Sequence, residues 1–499
     1  MTNDYSNKWW AFIGITLLSF GCYLDYTVVN VALPTIQKEL QANLTQLQWI
    51  MNIYFLALCI LATIMGRCGD LYGRRRVFYI GVNIFAIASL IAGFSANIEG
   101  LILGRFLQGI GAAIVFPLGP SLLPEAFPKK ERGKAIGWLG SLGGIALALG
   151  PMLGGIIVAY WGWRWIFFIN IPIILLGYLF SFKSVKESAV KHISPELDWF
   201  GMLFLALTIA GIVMGLINSQ ASGWFDALTL TYLVVGIVSS VVLFKIERNN
   251  INSLINFRDF SNLMFYAGAV LCFLAGVLSA VALFFDPLYL QVIREQSPEF
   301  SGLVLFAIPI AVFVVAFIVG WLIHQLGIVN TIISGLALAT LACFLQIFFT
   351  NVTPLWYVII AFICLGSMWA MGNTVTLIAA QTTVESSRSS VATGTMVTMF
   401  NIGGSIGLAI AVVVYHFAGM SYLKHFFQMH TQQLSSNQFL QLEGLISNPA
   451  QSLKLQMNPV IHSIFNDAFM QSFSGVMWFL FILSILTLLS VLIFKMSKE

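Results

Sequence analysis

One apolar run follows another along this chain, most of them about 20 residues or longer and nearly free of charge. An α-helix of about that length crosses a hydrocarbon core of ~30 Å. Within lipid the backbone must satisfy its own hydrogen bonds, and barrel strands alternate apolar with polar residues, so continuous runs mean helices. Only 9% of the 499 residues are charged and 59% are hydrophobic, whereas a soluble domain carries roughly 25% charged residues. A soluble enzyme and a disordered scaffold are excluded, and an all-α polytopic membrane protein remains.

Fourteen spans are predicted, at approximately 9–36, 47–66, 76–95, 98–123, 133–160, 163–183, 197–217, 226–246, 263–291, 299–323, 328–349, 354–380, 390–419 and 467–494. The first run lacks a small-residue cleavage pattern and reads as an anchored span. With a cytoplasmic N-terminus, eighteen Lys and Arg fall on the inner side and five on the outer, Arg105 lying within a span. That asymmetry places both termini inside. The net charge of +4 gives no reason to expect nucleic acid. Cys22, Cys59, Cys272, Cys343 and Cys364 sit in apolar runs and Cys68 in a short basic loop, without a CxxC, so neither a disulfide framework nor a metal site is expected.

The loop after span 2, Gly66 to Gly73, shares its glycine spacing with the loop after span 10, Gly320 to Gly327, 254 residues later. Two six-helix halves would place these loops equivalently, and paired halves suit a transporter that rocks around a central site. The expected organisation is an N-terminal bundle over 1–190, two linker helices in 191–250, and a C-terminal bundle over 251–499. A long extracytoplasmic loop at 420–466 reads either as a solvated segment with interfacial helices or as a docking surface for a partner.

A carboxylate within a span is expensive unless paired. Asp25 lies about 24 Å into span 1, in the outer half of the bilayer, and Arg105 lies at comparable depth in span 4. Two readings fit: a permanent ion pair that locks two helices, or a titratable acid whose proton affinity follows hydration and pairing. Asp286, before Pro287, is expected near the outer interface, lining a vestibule or ending a helix. Span 5 carries Gly150, Pro151, Gly154 and Gly155, small residues that admit a close neighbour. Asn373 and Asn401, with nearby threonines, methionines and Phe400, give spans 12 and 13 a polar face amid flexible apolar groups, suited either to packing or to a path for varied apolar ligands.

These residues resemble the major facilitator superfamily, specifically its fourteen-span drug:proton antiporter branch, over essentially the whole chain. The resemblance rests on Leu24-Asp25-Tyr26-Thr27 through Asn30 and Pro34 in span 1, and on Gly66-x-x-x-Asp70-x-x-Gly73-Arg74-Arg75 after span 2. Leu103-Gly104-Arg105-Phe106-Leu107-Gln108-Gly109 in span 4, Gly150-Pro151-Met152-Leu153-Gly154-Gly155 in span 5, and Trp163-Arg164-Trp165 with Asn170 and Pro172 at span 6 complete it. Cys68, Leu71 and Ala146 depart from the commoner residues, and His324 stands where the second-half loop would carry an acid.

The resemblance implies alternating access in the cytoplasmic (inner) membrane with proton exchange, driven by the proton gradient without a cofactor. Asp25 and Arg105 would handle the proton or substrate, with Asp286 a further candidate. Gly66, Asp70, Gly73, Arg74 and Arg75 would form the cytoplasmic gate. Tyr26, Asn30, Gln108, Asn373 and Asn401 are the cavity candidates. The implied cargo is an amphipathic organic compound, alternatively a dedicated metabolite such as a siderophore or lipid; a non-transporting receptor is the reading from another class. Segment 420–466 looks like that of members working with a periplasmic adaptor and an outer-membrane channel.

Overall fold

A computed structural model describes residues 7–42, 44–128, 130–187, 198–249, 257–385, 388–429, 436–447, 449 and 458–497. They form α1 Lys8–Leu40, α2 Leu44–Tyr72, α3 Arg74–Gly93, α4 Ile98–Leu122, α5 Arg132–Trp161, the pair α6 Trp165–Phe168 and α7 Asn170–Ser181, α8 Trp199–Ser222 and α9 Ala227–Asn249. After these come α10 Leu263–Leu288, α11 Pro298–Leu305, α12 Ala307–Leu326, α13 Ile328–Ile347, α14 Leu355–Thr383, α15 Ser389–Met429, α16 Ser436–Ser447 and α17 Pro459–Met496.

Among the described residues, twelve helices are long and apolar enough to cross a membrane, against the fourteen spans expected. The other two predicted positions hold α5, 30 residues long, and the short apolar segment Trp165–Ser181.

Helix joints follow local chemistry. Asn97 accepts from the Gly100 amide at 2.9 Å and caps α4. Gly73 joins α2 to α3 at φ +104, and Gly327 joins α12 to α13 at φ +78. Both are left-handed conformations that a Cβ would strain. The equivalent joints carry the glycine repeat read from the sequence.

The packing has a two-fold pattern. In the first half, α1 packs on α5 and α7 while α4 packs on α2 and α3; in the second, α10 packs on α15 and α17 while α14 packs on α12 and α13. Two seams join the halves, α2 against α15 and α5 against α12. α8 and α9 form a hairpin beside the first seam, where α8 touches α2 and α15. Val234, Ile237, Val238, Val241 and Phe244 of α9 stay exposed, as a lipid-facing helix requires.

The expected loop at 420–466 is largely helical where described. α15 continues to Met429, α16 forms within the segment, and α17 begins at Pro459. The apolar residues there explain the helices: Leu442, Leu445 and Ile446 are buried as α16 packs on α15 and α17, and the Phe427 and Phe439 rings meet at 5.1 Å.

Candidate functional site

Asp25 of α1 and Arg105 of α4 form an ion pair in which both side chains are wholly buried. Removing two ions from water costs several kcal/mol each, a cost that further hydrogen bonds offset. Most polar atoms of this cluster are so paired; Arg105 Nη2 and Asn170 Oδ1 are without a partner among the described residues. Asp25 Oδ1 accepts from Gln108 Nε2 at 3.0 Å and from Asn170 Nδ2 at 2.9 Å. Arg105 donates from Nε to the Ile50 carbonyl at 3.1 Å and from Nη1 to Gln108 Oε1 at 3.0 Å. Ser89 Oγ accepts from Gln108 Nε2 at 2.9 Å and from Asn170 Nδ2 at 3.3 Å. The guanidinium lies 4.3 Å from the Tyr54 ring centre, within cation–π range. Helices α1, α2, α3, α4 and α7 thus share one polar cluster inside the first half.

The sequence reading reached Asp25, Arg105 and Gln108. It quoted Asn170 only as part of a motif and missed Ser89 and Tyr54. A lone serine and a tyrosine in apolar runs carry no signal until the fold gathers them. Gln108 belongs to this cluster and not to the cavity for which it was a candidate.

A cavity of about 50 Å³ lies between the halves. Tyr23, Tyr26, Phe116 and Phe400 supply aromatic walls, and Asn373, Thr376 and Asn401 supply polar groups. No residue among the described lining carries a charge. Tyr26 bridges the halves by donating from its hydroxyl to Asn401 Oδ1 at 3.2 Å. Its ring also meets the Tyr54 ring edge-on at 6.0 Å. A single aromatic layer therefore separates the cavity from the Asp25–Arg105 pair, and in this conformation the carboxylate does not face the cavity. The side chains of Asn30 and Pro151 lie outside the described residues.

Asp286 stands apart from both features. It is fully buried in the second half and lines no open vestibule, because α10 is enclosed by α13, α14, α15 and α17.

The residues expected to form a gate gather where α2 meets α15. Asp70 Oδ1 accepts from Arg74 Nε at 2.8 Å, and Asp70 Oδ2 accepts from the Val391 amide at 3.3 Å, in the first turn of α15. That amide has no partner within its own helix, and the helix dipole favours an anion there. Arg74 Nη1 also donates to Glu125 at 2.9 Å. A Cβ at Gly66 would stand 2.5 Å from the Ser390 carbonyl oxygen, so only glycine permits the crossing. Arg75 and Arg76 present backbone amides to Glu187 at 3.0 and 3.1 Å, and Gly73 turns the chain between.

This arrangement yields a prediction. Asp70→Ala should weaken the contact between α2 and α15 by about 1.5–3 kcal/mol, the usual worth of a hydrogen bond to a charged group. Hydrogen exchange at the Val391 amide should then quicken roughly ten- to a hundred-fold. An unchanged rate would show that Asp70 does not latch the halves.

Span 5 acts as a glycine strip between neighbours. Gly154 lies against α1, where a Cβ would stand 2.9 Å from the Val28 carbonyl oxygen, and Gly150 meets Thr27 and Val28 on the same helix. Thr27 Oγ1 donates to the Leu147 carbonyl at 2.8 Å across this contact. Toward the other half, Gly144 faces Val312 of α12 and Gly140 faces Thr374 of α14. Gly155 is half-buried on the same helix. The helix that supports Asp25's own helix therefore also touches the opposite half.

Comparison with known proteins agrees with this architecture. The model of the Major Facilitator Superfamily matches residues 15–408. The multidrug resistance protein Stp of Mycobacterium tuberculosis (strain CDC 1551 / Oshkosh) is 32% identical over 397 residues, covering 78% of this chain and 73% of that protein. The tetracenomycin C resistance and export protein of Streptomyces glaucescens is 30% identical over 396 residues, with the same coverage of each. The crystal structure of the human organic anion transporter MFSD10 (TETRAN) superposes with a TM-score of 0.60 at 14% identity, covering 96% of this chain and 99% of that one, a likeness of fold.

Proposed function

The chain belongs to the Major Facilitator Superfamily, a family of membrane transporters and not of enzymes, and on that premise we propose that it exports amphipathic organic compounds across the cytoplasmic membrane in exchange for protons. The observation that carries this reading is the sealed Asp25–Arg105 pair one aromatic layer behind an uncharged, aromatic cavity. Relatives named for multidrug resistance and for tetracenomycin C export support the cargo class. In this proposal the protein has fourteen spans, both termini are cytoplasmic, and α16 lies on the outer side, where an extracytoplasmic adaptor would dock.

Asp25 is the coupling acid and Arg105 its counter-ion. With α2 latched to α15, the pair is closed and Gln108 and Asn170 donate to its carboxylate. Rocking of the halves reaches α1 through α5, which packs on α1 and on α12. Once the pair separates, Asp25 loses its cation in a place where an unpaired carboxylate is costly, and it takes a proton. Return of the pair expels that proton. Tyr26 links the two events, since its hydroxyl reaches Asn401 in the cavity and its ring packs on Tyr54. Cargo that displaces the Tyr26–Asn401 bridge thereby disturbs the layer covering Arg105.

A cavity lined without charge selects neutral cargo. Exchange of one proton for a neutral compound moves one charge, and 100 mV is then worth about 2.3 kcal/mol, roughly fifty-fold in accumulation. Proteoliposomes given a valinomycin-imposed potiential of potassium diffusion, with no pH gradient, should therefore concentrate a neutral amphipathic dye. Indifference to the potential would reject one-for-one exchange of a neutral compound and point to a monovalent cation as cargo.

A further inference from the structure

The carboxylate of Asp286 is completely buried, and neither of its oxygens has a hydrogen-bond partner among the described residues. Its surroundings are apolar and aromatic. The preceding Phe285 ring packs 5.2 Å from Tyr415 of α15. One helical turn on, the Tyr289 ring lies 5.0 Å from Phe349 and 5.4 Å from Phe473. The titratable groups within electrostatic reach are Tyr289 itself and Cys343 of α13. Tyr415 is the titratable group that α15 presents to this layer, and α17 presents phenylalanines. The nearest arginine along the chain, Arg294, donates to the Thr353 carbonyl instead.

The backbone is interrupted at the same place. Pro287 lacks an amide hydrogen, so the carbonyl four residues earlier loses its helical donor. The helix then widens into a π turn over Tyr289–Ile293, closed by the Arg294 amide donating to the Tyr289 carbonyl at 3.1 Å. Such turns concentrate at functional sites and mark places where a helix can rearrange. A bare carboxylate in this setting would carry the full cost of desolvation, with neither cation nor donor to offset it.

We propose that Asp286 is a second proton-binding site, in the C-terminal half, which holds its proton in the conformation where Asp25 is ion-paired. The two acids then occupy opposite states: Asp25 a carboxylate held by Arg105, Asp286 a neutral acid in an aromatic shell. Rearrangement at the Pro287 and π-turn break admits water, the proton passes to that water, and the carboxylate left behind is solvated. The use of this proton in turnover rests on the proton-coupled reading; its presence on Asp286 does not.

The test uses purified full-length protein at neutral pH. Infrared spectra should show a carboxylic acid C=O stretch from a buried neutral acid in the wild type and in Asp25→Asn, and it should vanish in Asp286→Asn. The Asp286→Asn protein should keep its Tm, since an amide matches a neutral carboxyl group in shape and charge. In proteoliposomes the same variant should translocate one proton fewer per cargo molecule. An infrared band that survives in Asp286→Asn, or a collapse of Tm in that variant, overturns the assignment of the proton. An unchanged proton-to-cargo ratio overturns its role in transport. A wild type that shows the band but no cargo-driven proton movement would instead defeat the coupling reading while leaving Asp286 protonated.

Discussion

Arg105→Ala should destabilise the protein by about 3–5 kcal/mol, the usual consequence of removing one partner from a buried ion pair. The loss is large because Asp25 would remain wholly buried with only the amides of Gln108 and Asn170 to hold it. Adding Asp25→Asn should recover much of the deficit, since the double variant buries no net charge. Arg105→Lys should rescue poorly: the ammonium group lacks the planar fork that reaches the Ile50 carbonyl and Gln108 together while lying over Tyr54. Thermal unfolding of the four proteins in detergent measures this. If single and double variants are equally destabilised, the loss is one of packing around the guanidinium and the ion pair has no special weight.

The parts of this site that were legible in the sequence are those whose cost makes them conspicuous. A carboxylate in an apolar run announces itself, and so does an arginine at matching depth. Their pairing could be anticipated because depth along a helix follows from residue number alone. Asn170, Ser89 and Tyr54 are different. Each is an ordinary residue on its own helix, and only the packing of α7, α3 and α2 around α4 turns them into donors and a ring beneath the guanidinium. The same distinction separates Gln108 from Tyr26. Both are polar residues in spans, but helix rotation decides that one faces the ion pair and the other the cavity, and periodicity fixes rotation only loosely on a helix that is apolar all round. For Asp286 residue number gives depth but not enclosure: the packing of α13, α14, α15 and α17 around α10 is what buries it. The helical stretch of α16 was legible as an interfacial helix from its apolar spacing, and the structure buries Leu442, Leu445 and Ile446 of it. The glycine repeat was the most informative weak signal, because Gly73 and Gly327 serve the same backbone need at equivalent joints.

Asp25→Asn should remove from the exchange the proton that Asp25 carries, without abolishing binding. With a proton gradient of one pH unit and 100 mV, one proton exchanged for a neutral compound is worth about 3.7 kcal/mol, roughly 500-fold in accumulation. The variant should lower accumulation by about that factor. Its binding affinity for cargo should change little, because Asp25 does not line the cavity and the cavity supplies its own aromatic and amide contacts. Exchange of labelled for unlabelled cargo across the membrane should persist, since that process needs rocking of the halves and no net proton movement. This separation distinguishes a coupling acid from a structural lock. A lock that was merely lost would loosen the first half and reduce exchange and accumulation alike. Asparagine cannot form the charge pair, yet it keeps the shape of the side chain and a carbonyl oxygen where Gln108 and Asn170 donate. The halves then remain free to move past one another along α2, α15, α5 and α12, while the step that tied their motion to a proton is gone. Proteoliposome accumulation, equilibrium binding and counterflow measured on one preparation would decide the matter, and undiminished proton-driven accumulation in Asp25→Asn would remove Asp25 from the mechanism.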